Sequence, residues 1–377
     1  MKKLFSILLL GFGAVRRHPH EHQIYTKRST VVLILSWALG ISCVALAQSM
    51  PELLLLPGLI YTSSDSGRTW SPHESNRQWI AVASSADGRK LVAADHGLRD
   101  RRNGGTHDSS GGRIYTSTDS GATWTPQWTN KFWNCVASSA DGSRLVAGTF
   151  GDGIYTSADS GVTWTPHEDG LNWVSVASST DGSKLVAIPF GHQIHISADF
   201  GATWTKHESN RLWVAVASSA DGSKLVAAVQ GDDRIFTSTD SGETWMPRER
   251  LRNCHALASS ADGSKLVAVG LSGQILTSAD SGMTWMPRPG YTSGFGVASS
   301  ADGMTLATAE TVGRILISRD SGASWMRCAT NANWTSFGIS SDGIKLVAVA
   351  SGSESLTSES ANTSSSNSVK SADHKEP

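Results

Sequence analysis

The chain has 377 residues, 17% of them charged, with a formal net charge of -1, so no global field is present to recruit nucleic acid or an acidic membrane. Its four cysteines exclude a disulfide scaffold: Cys43 lies in an N-terminal apolar segment, and Cys135, Cys254 and Cys328 are an odd number at unrelated positions. They also lack the paired spacing of a zinc site.

The first fifty residues follow a logic of their own. Residues 31–47 are an apolar run preceded by Lys27-Arg28 and ending in Ala45-Leu46-Ala47, the layout of a signal peptide with cleavage after Ala47. The same run is only just long enough to cross a bilayer, so an uncleaved anchor is the alternative, and with it the only expected membrane association. Met1 to Val15 carries a second basic start and apolar run, as a mis-assigned start codon would leave, and Gly40-Ile41-Ser42-Cys43 is a poor lipobox. His18, His20 and His22 fall in this segment, and no metal is expected there. Residues 48–57 read as a linker.

From residue 58 the chain repeats. The octapeptide Ser157 to Trp164, Ser-Ala-Asp-Ser-Gly-Val-Thr-Trp, has seven copies, with aspartates at Asp65, Asp119, Asp159, Asp199, Asp240, Asp280 and Asp320 and spacings of 54, 40, 40, 41, 40 and 40. A fixed period of this length marks a repeat architecture. Each copy reads as strand, tight turn, strand: the Asp accepts amides of its own turn, the Gly adopts a backbone that other residues resist, and the Trp anchors the chain in the sheet. Ser-x-Asp-x-Gly-x-Thr-Trp resembles the Asp-box, or bacterial neuraminidase repeat, of β-propellers, and the resemblance covers residues 58–358.

A second motif, Ala-Ser-Ser-Ala-Asp-Gly-Ser-Lys-Leu-Val-Ala with small variations, alternates with the first, its Asp at 87, 141, 181, 221, 262, 302 and 342. Asp-Gly between two apolar runs is a hairpin signal. Each unit therefore holds four strands, in the third unit Trp173 to Ser178, Lys184 to Ile188, Gln193 to Ser197 and Thr203 to Lys206. One position of the first strand is always small (Ala81, Cys135, Ser175, Ala215, Ala256, Gly296, Ser336), as crowding around an axis requires. In the fourth strand Pro72, Pro126, Pro166, Pro247 and Pro287 mark an edge, because proline cannot donate to a ladder. The expected fold is all-β, a seven-bladed β-propeller of four-stranded antiparallel blades. Residues 58–73 supply two outer strands and 334–349 two inner ones, so a two-plus-two strand clasp should close the ring. Residues 355–358 form a worn third-strand copy that competes for that slot or frays. Residues 359–377 read as a disordered Ser-rich tail.

In such a blade the Asp-Gly turn and the Asp-box share one face, and the loops joining second to third and fourth to first strands share the other. The loop face varies between units, which is where binding usually sits. Trp79, Trp133, Trp173, Trp213 and Trp334 precede their first strands, either as a ring for sugars or peptide or as packing between blades, the latter being usual for large aromatics in regular repeats. Beside them Arg77, Lys131, Arg211 and Arg252 can bind carboxylates or form a solvated rim. A fourteen-residue excess within Asp95 to Gly112 carries His96, Arg99, Asp100, Arg101, Arg102, His107 and Asp108, as a functional lid or a tolerated loop. His73, His167 and His207 belong to outer strands of separate blades and should not share a metal. Tyr61, Tyr115 and Tyr155 align with His195, Phe236, Leu276 and Leu316 as packing positions.

The resemblance implies several activities. Sialidases of this type use an arginine triad, a Tyr-Glu pair and an Asp acid, but no Phe-Arg-Ile-Pro-type segment occurs here and their residues do not carry over. The photosystem II stability and assembly factors are similar in regular period, export signal and arginines, and are non-catalytic binders of a partner protein. Sortilin-type receptors have a larger propeller and Cys-rich modules that are absent. The sequence thus points to an exported, non-enzymatic propeller that binds a protein or a glycan, with a glycoside hydrolase as the alternative. No cofactor, metal or nucleic acid is expected. A retaining glycosidase would need two carboxylates about 5 Å apart, and Asp95, Asp100, Asp108, Asp152, Asp232, Asp233 and Glu310 are the loop-face candidates.

Overall fold

The computed structural model describes residues 58–351, apart from 75–76, 98–110, 128–129, 232, 271–272, 293–295 and 311–312. The expectations for residues 1–57, for the 355–358 copy and for the tail lie outside them. The described residues form twenty-eight strands, β1 (Ile60–Ser63) to β28 (Leu346–Ala350), in seven four-stranded antiparallel sheets with no helix. Blades 1 to 6 follow one another from Trp79 to Ala332. Blade 7 combines β1 and β2 (Ser71–His73) with β27 (Trp334–Ile339) and β28. The expected clasp is present: Ile60 pairs with Val349, Tyr61 with Ala348, Thr62 with Val347 and Ser63 with Leu346.

The radial order also stands as read. Each blade's first strand packs on the first strands of its two neighbours, closing a ring around the axis, and all five edge prolines lie in outermost strands. Small first-strand side chains are used across the blade boundary: Val82 N donates to Ser336 Oγ at 3.2 Å and Val216 N to Ser175 Oγ at 3.2 Å. Blade 3 corrects the bounds of three strands: the second is Leu185–Pro189 and not Lys184 to Ile188, the third starts at Ile194 and not Gln193, and the outer one is Thr205–His207 and not Thr203 to Lys206. Thr203 and Trp204 still belong to the turn, because Thr203 N and Oγ1 are tied back to the Asp199 carboxylate.

The octapeptide turn is held by its own side chains. In the third copy Ser157 Oγ donates to Asp159 Oδ1 at 2.8 Å, Thr163 N and Oγ1 donate to the same carboxylate at 2.8 and 2.6 Å, and Gly161 N donates to Ser157 Oγ at 2.9 Å. Trp164 Nε1 closes the turn on Gly161 O at 2.9 Å. Two successive residues are left-handed, Ser160 at φ 59° and Gly161 at φ 93°. In blade 3 the first of these is Phe200, at φ 59°, an uncommon conformation for a bulky residue. Because Asp159 serves only its own turn, Asp159→Ala should lower stability by about 1 kcal/mol. Denaturant unfolding checks this; a loss several times larger would show the carboxylate acting beyond the turn.

Two sets of backbone hydrogen bonds place both turns on one face. Within each blade the octapeptide turn donates to the Asp-Gly turn, as from Ser120 N to Arg89 O, Ser160 N to Ser143 O and Ser66 N to Ile344 O at 2.8 to 2.9 Å. Between blades, the amides of Ala86, Ala140, Thr180, Ala220, Ala261, Ala301 and Ser341 each donate to the carbonyl of the next, and Ser341 N returns to Ala86 O, at 2.7 to 3.0 Å. This closed circle of seven hydrogen bonds stitches the ring on its turn face, where backbone groups of isolated blades would need water.

Candidate binding face

On the loop face, the five tryptophans do not reach solvent. Trp79, Trp133, Trp173 and Trp213 have no exposed surface and Trp334 only 2%. Of the two readings of this series, the structure supports packing: indoles without exposed faces cannot stack on a ligand. Each instead meets the third-strand residue of its own blade edge-on, Trp79 with Tyr115 at 5.1 Å, Trp133 with Tyr155 at 5.4 Å, Trp173 with His195 at 5.0 Å, Trp213 with Phe236 at 5.3 Å and Trp334 with Tyr61 at 5.1 Å.

The cations two residues before the tryptophans cover the outer side of those rings. Arg77 lies over Tyr115 at 4.7 Å, Lys131 over Tyr155 at 5.0 Å and Arg211 over Phe236 at 5.0 Å. Ring and charge attract, and the ring fixes the cation's position. Each cation also has a carboxylate: Asp95 for Arg77 at 4.0 Å, Asp152 for Lys131, and Glu208 for Arg211 at 3.8 Å. Tyr155 Oη adds a hydrogen bond to Asp152 at 2.8 Å. Burial raises the Asp152 carboxyl, but the hydrogen bonds from Lys131 and Tyr155 outweigh it and leave it below its ordinary value. These acids come from three different loop positions, so no repeat period marked them in the sequence. Arg252 is exposed, and the third-strand residue of its blade is Leu276. Arg99, Arg101, Arg102, Asp100, Asp108 and Asp232 lie outside the described residues.

The other loop-face carboxylates are each engaged within or beside their own blade. Asp233 Oδ1 accepts from Asn253 N at 3.1 Å and Glu310 Oε1 from Arg327 Nε at 2.7 Å. The three histidines of the outer strands bond locally, His73 to Thr62, His167 to Thr156 and His207 to Thr205, at 2.8 to 2.9 Å. Among the described residues no group of three potential metal ligands occurs. Burial pushes the Cys135 and Cys254 thiols up to about 12, which makes them inert packing groups.

Sequence reasoning missed a different feature of this face. The residue following the second strand donates its amide to the carbonyl preceding the blade's Trp: His96 to Gln78, Phe150 to Phe132, Phe190 to Asn172 and Gln230 to Leu212. Those bonds hold Phe150 and Phe190 at equivalent places in blades 2 and 3, with 39% and 44% of their surface exposed, while Leu212 before blade 4 is 41% exposed. The signal was available, because this position breaks the small-and-polar pattern of the loops with two phenylalanines. The loop face of blades 2 to 4 therefore shows apolar side chains beside the pinned cations Lys131 and Arg211.

These features define a seven-bladed β-propeller with a stitched turn face and a variable, cation-bearing loop face. No family model matches the chain, and no curated protein does. Among solved structures it is similar to YCF48 from Cyanidioschyzon merolae, with a TM-score of 0.55, 14% identity, and 74% of this chain and 97% of that one covered. It is similar to a structure of YCF48 bound to a D1 peptide, with a TM-score of 0.54, 14% identity, and 80% and 99% covered. It is also similar to the Cps50 (Swd1) propeller domain of Myceliophteria thermophila, with a TM-score of 0.54, 12% identity, and 74% and 97% covered. At these identities the likeness is one of fold.

Proposed function

We propose that the chain is an exported propeller without catalysis of its own that holds a protein partner on the loop face of blades 2 to 4. The observation that carries this reading is the exposure of Phe150, Phe190 and Leu212 on one face beside Lys131 and Arg211. Neighbouring exposed apolar side chains mark interaction surfaces, and aromatics with Arg are the residue types that dominate binding energy. Lys131 and Arg211 are fixed over rings with Asp152 and Glu208 beside them, so their remaining N–H groups meet a carboxylate-bearing partner with little further loss of freedom. The solved propeller named with a bound D1 peptide supports the reading to the extent that a ring of this fold can present a peptide site. Export rests on the apolar run before Gln48 and its Ala-Leu-Ala ending.

The test is a peptide array of acidic, neutral and basic 15-residue sequences, with a glycan array in parallel. Acidic sequences with apolar residues should bind. Phe150→Ser combined with Phe190→Ser should weaken them at least about tenfold; more than half of each side chain is buried, so a modest fall in melting temperature is expected, and a native circular dichroism spectrum at the assay temperature shows that the ring is still folded. Arg252→Glu extends the test to the next blade and should slow association with acidic peptides. Glycan binding without peptide binding, or full binding by the double variant, would overturn the proposal.

A further inference from the structure

Among the described residues, four clefts open between blades on the turn face, away from the loop face just discussed. In that ring the second residue after each Asp-Gly pair is a Lys or Arg in six blades, its stem lying along the next blade's turn glycine, as Lys184 does on Gly222. Four of these ammonium groups reach the next octapeptide turn, including Lys90 to Ser160, Lys184 to Ser241 and Lys224 to Ser281. Lys224 and Lys265 are further tied to the carbonyls of Asp262 and Asp302 at 2.9 and 2.8 Å. Lys184 has Ser241 Oγ, at 3.2 Å, as its hydrogen-bond partner.

The cleft beside Lys184, between blades 3 and 4, has a volume of 230 Å³; the corresponding clefts between blades 7 and 1, 5 and 6, and 1 and 2 have 180, 120 and 10 Å³. Its wall also carries Glu243, at a turn position occupied elsewhere by Arg68, Ala122, Val162, Ala202, Met283 and Ala323. Lys184 and Glu243 thus form the one ammonium and carboxylate combination among the seven equivalent boundaries. No hydrogen bond or ion pair among the described residues engages the Glu243 carboxylate, and the two charges do not pair with each other. The hydroxyls between them already donate elsewhere: Thr203 Oγ1 to Asp199, Thr205 Oγ1 to Ile196 O and Ser218 Oγ to Ser219 O. These three offer lone pairs, Ser241 Oγ accepts from Lys184 and keeps its own proton for a ligand, and Ile196 and Leu225 add apolar surface.

We propose that this cleft binds a free α-amino acid with an aliphatic side chain, a function separate from the loop face. The acceptors of this lining, the Glu243 carboxylate and the hydroxyl oxygens of Thr203, Thr205 and Ser218, suit a ligand that brings donors, which an α-ammonium supplies. Lys184 retains two N–H donors for an α-carboxylate. The apolar floor takes the side chain. The volume is below the about 300 Å³ at which sites for drug-sized ligands begin, which limits the ligand to a small metabolite.

The probe is L-leucine added to the full chain, read by thermal shift and calorimetry, with L-leucinamide, N-acetyl-L-leucine and glucose as comparisons. A saturable rise in melting temperature is expected for leucine, with both capped forms at least about tenfold weaker, as each lacks one charge-assisted contact. Glu243→Ala introduces the residue present in three other turns, so the unliganded melting temperature should not change while leucine binding falls at least about tenfold. Lys184→Met keeps the stem on Gly222 and should make leucine and leucinamide bind alike. No saturable shift at ~10 mM, undiminished binding by Glu243→Ala, or glucose binding as tightly as leucine would each overturn the proposal.

Discussion

Replacing His195 with phenylalanine is expected to stabilise the protein on the order of 2 kcal/mol at pH 7, and by a larger margin at pH 5. His195 occupies the third-strand position that holds tyrosine or phenylalanine in four other blades, edge-on to Trp173, and it is 1% exposed with Nδ1 lacking a hydrogen-bond partner. A buried polar nitrogen left unsatisfied costs stability that an isosteric ring does not, and Phe236 against Trp213 shows the replacement already built into blade 4. Burial, reinforced by the charges of Lys206 and His192, depresses the imidazole from 6.5 to about 4. Between those values the unfolded chain binds a proton that the folded chain does not, so stability falls as pH drops from about 6.5 to about 4. His73, His167 and His255 are lowered chiefly by burial as well, so in His195→Phe this loss shrinks but persists. Chemical unfolding at pH 7, 6 and 5 checks this; an equal difference between wild type and variant at all three would show that the proton plays no part.

The turn carboxylates act in a lower window, which keeps the two effects separable. Asp65 is held at about 2 by the amide of Thr69 and then its hydroxyl, and Asp119 at about 2 by the hydroxyl and amide of Thr123. A carboxylate with a depressed folded value contributes stability that is complete above its unfolded value near 3.8 and is lost as pH falls toward 2. His195→Phe should therefore leave the steepness of acid unfolding below about pH 4 unchanged, because the carboxylates set it, while moving its midpoint to lower pH.

The second large effect concerns closure. Deleting residues 48–73 should abolish cooperative unfolding of the whole ring, while truncation after Ser351 should change the melting temperature by no more than a degree or two. Blade 7 retains only β27 and β28 in the deletion, and two strands alone are marginal in water. The deletion also strips Ile60 from the cluster formed with Trp79, Val347 and Val349, and Tyr61 from its contacts with Trp334. The exposed edge of β28 would then invite intermolecular pairing. Truncation after Ser351 preserves the contacts of that residue, whose amide donates to Asn333 O and which bridges Gln78. Calorimetry and light scattering decide the point, and a deletion variant that stays monomeric with one sharp transition would show that six blades close without the clasp.

Blade number, strand order and the clasp were legible in the residues because each rests on local rules applied in register. Asp-Gly marks a hairpin wherever it falls between apolar runs, proline marks an edge because it has no amide hydrogen, and half a blade at each end leaves one way to complete a seventh. The small first-strand residues likewise announced an axis, since only a crowded centre demands Ala, Ser, Cys or Gly at one position in every unit. What the sequence could not separate was packing from binding at the tryptophans, because an indole before a strand looks the same on a rim as in a core. Tertiary structure decided it by stacking Arg77, Lys131 and Arg211 over rings that cover the indoles, with carboxylates drawn from non-equivalent loops. The same holds for the circle of amides from Ala86 to Ser341 and for the cleft between Lys184 and Glu243. Residues some forty to sixty apart, or from opposite ends of the ring where Ser341 returns to Ala86, meet there only because the ring curves each blade's turn onto the next, and no local periodicity encodes that approach.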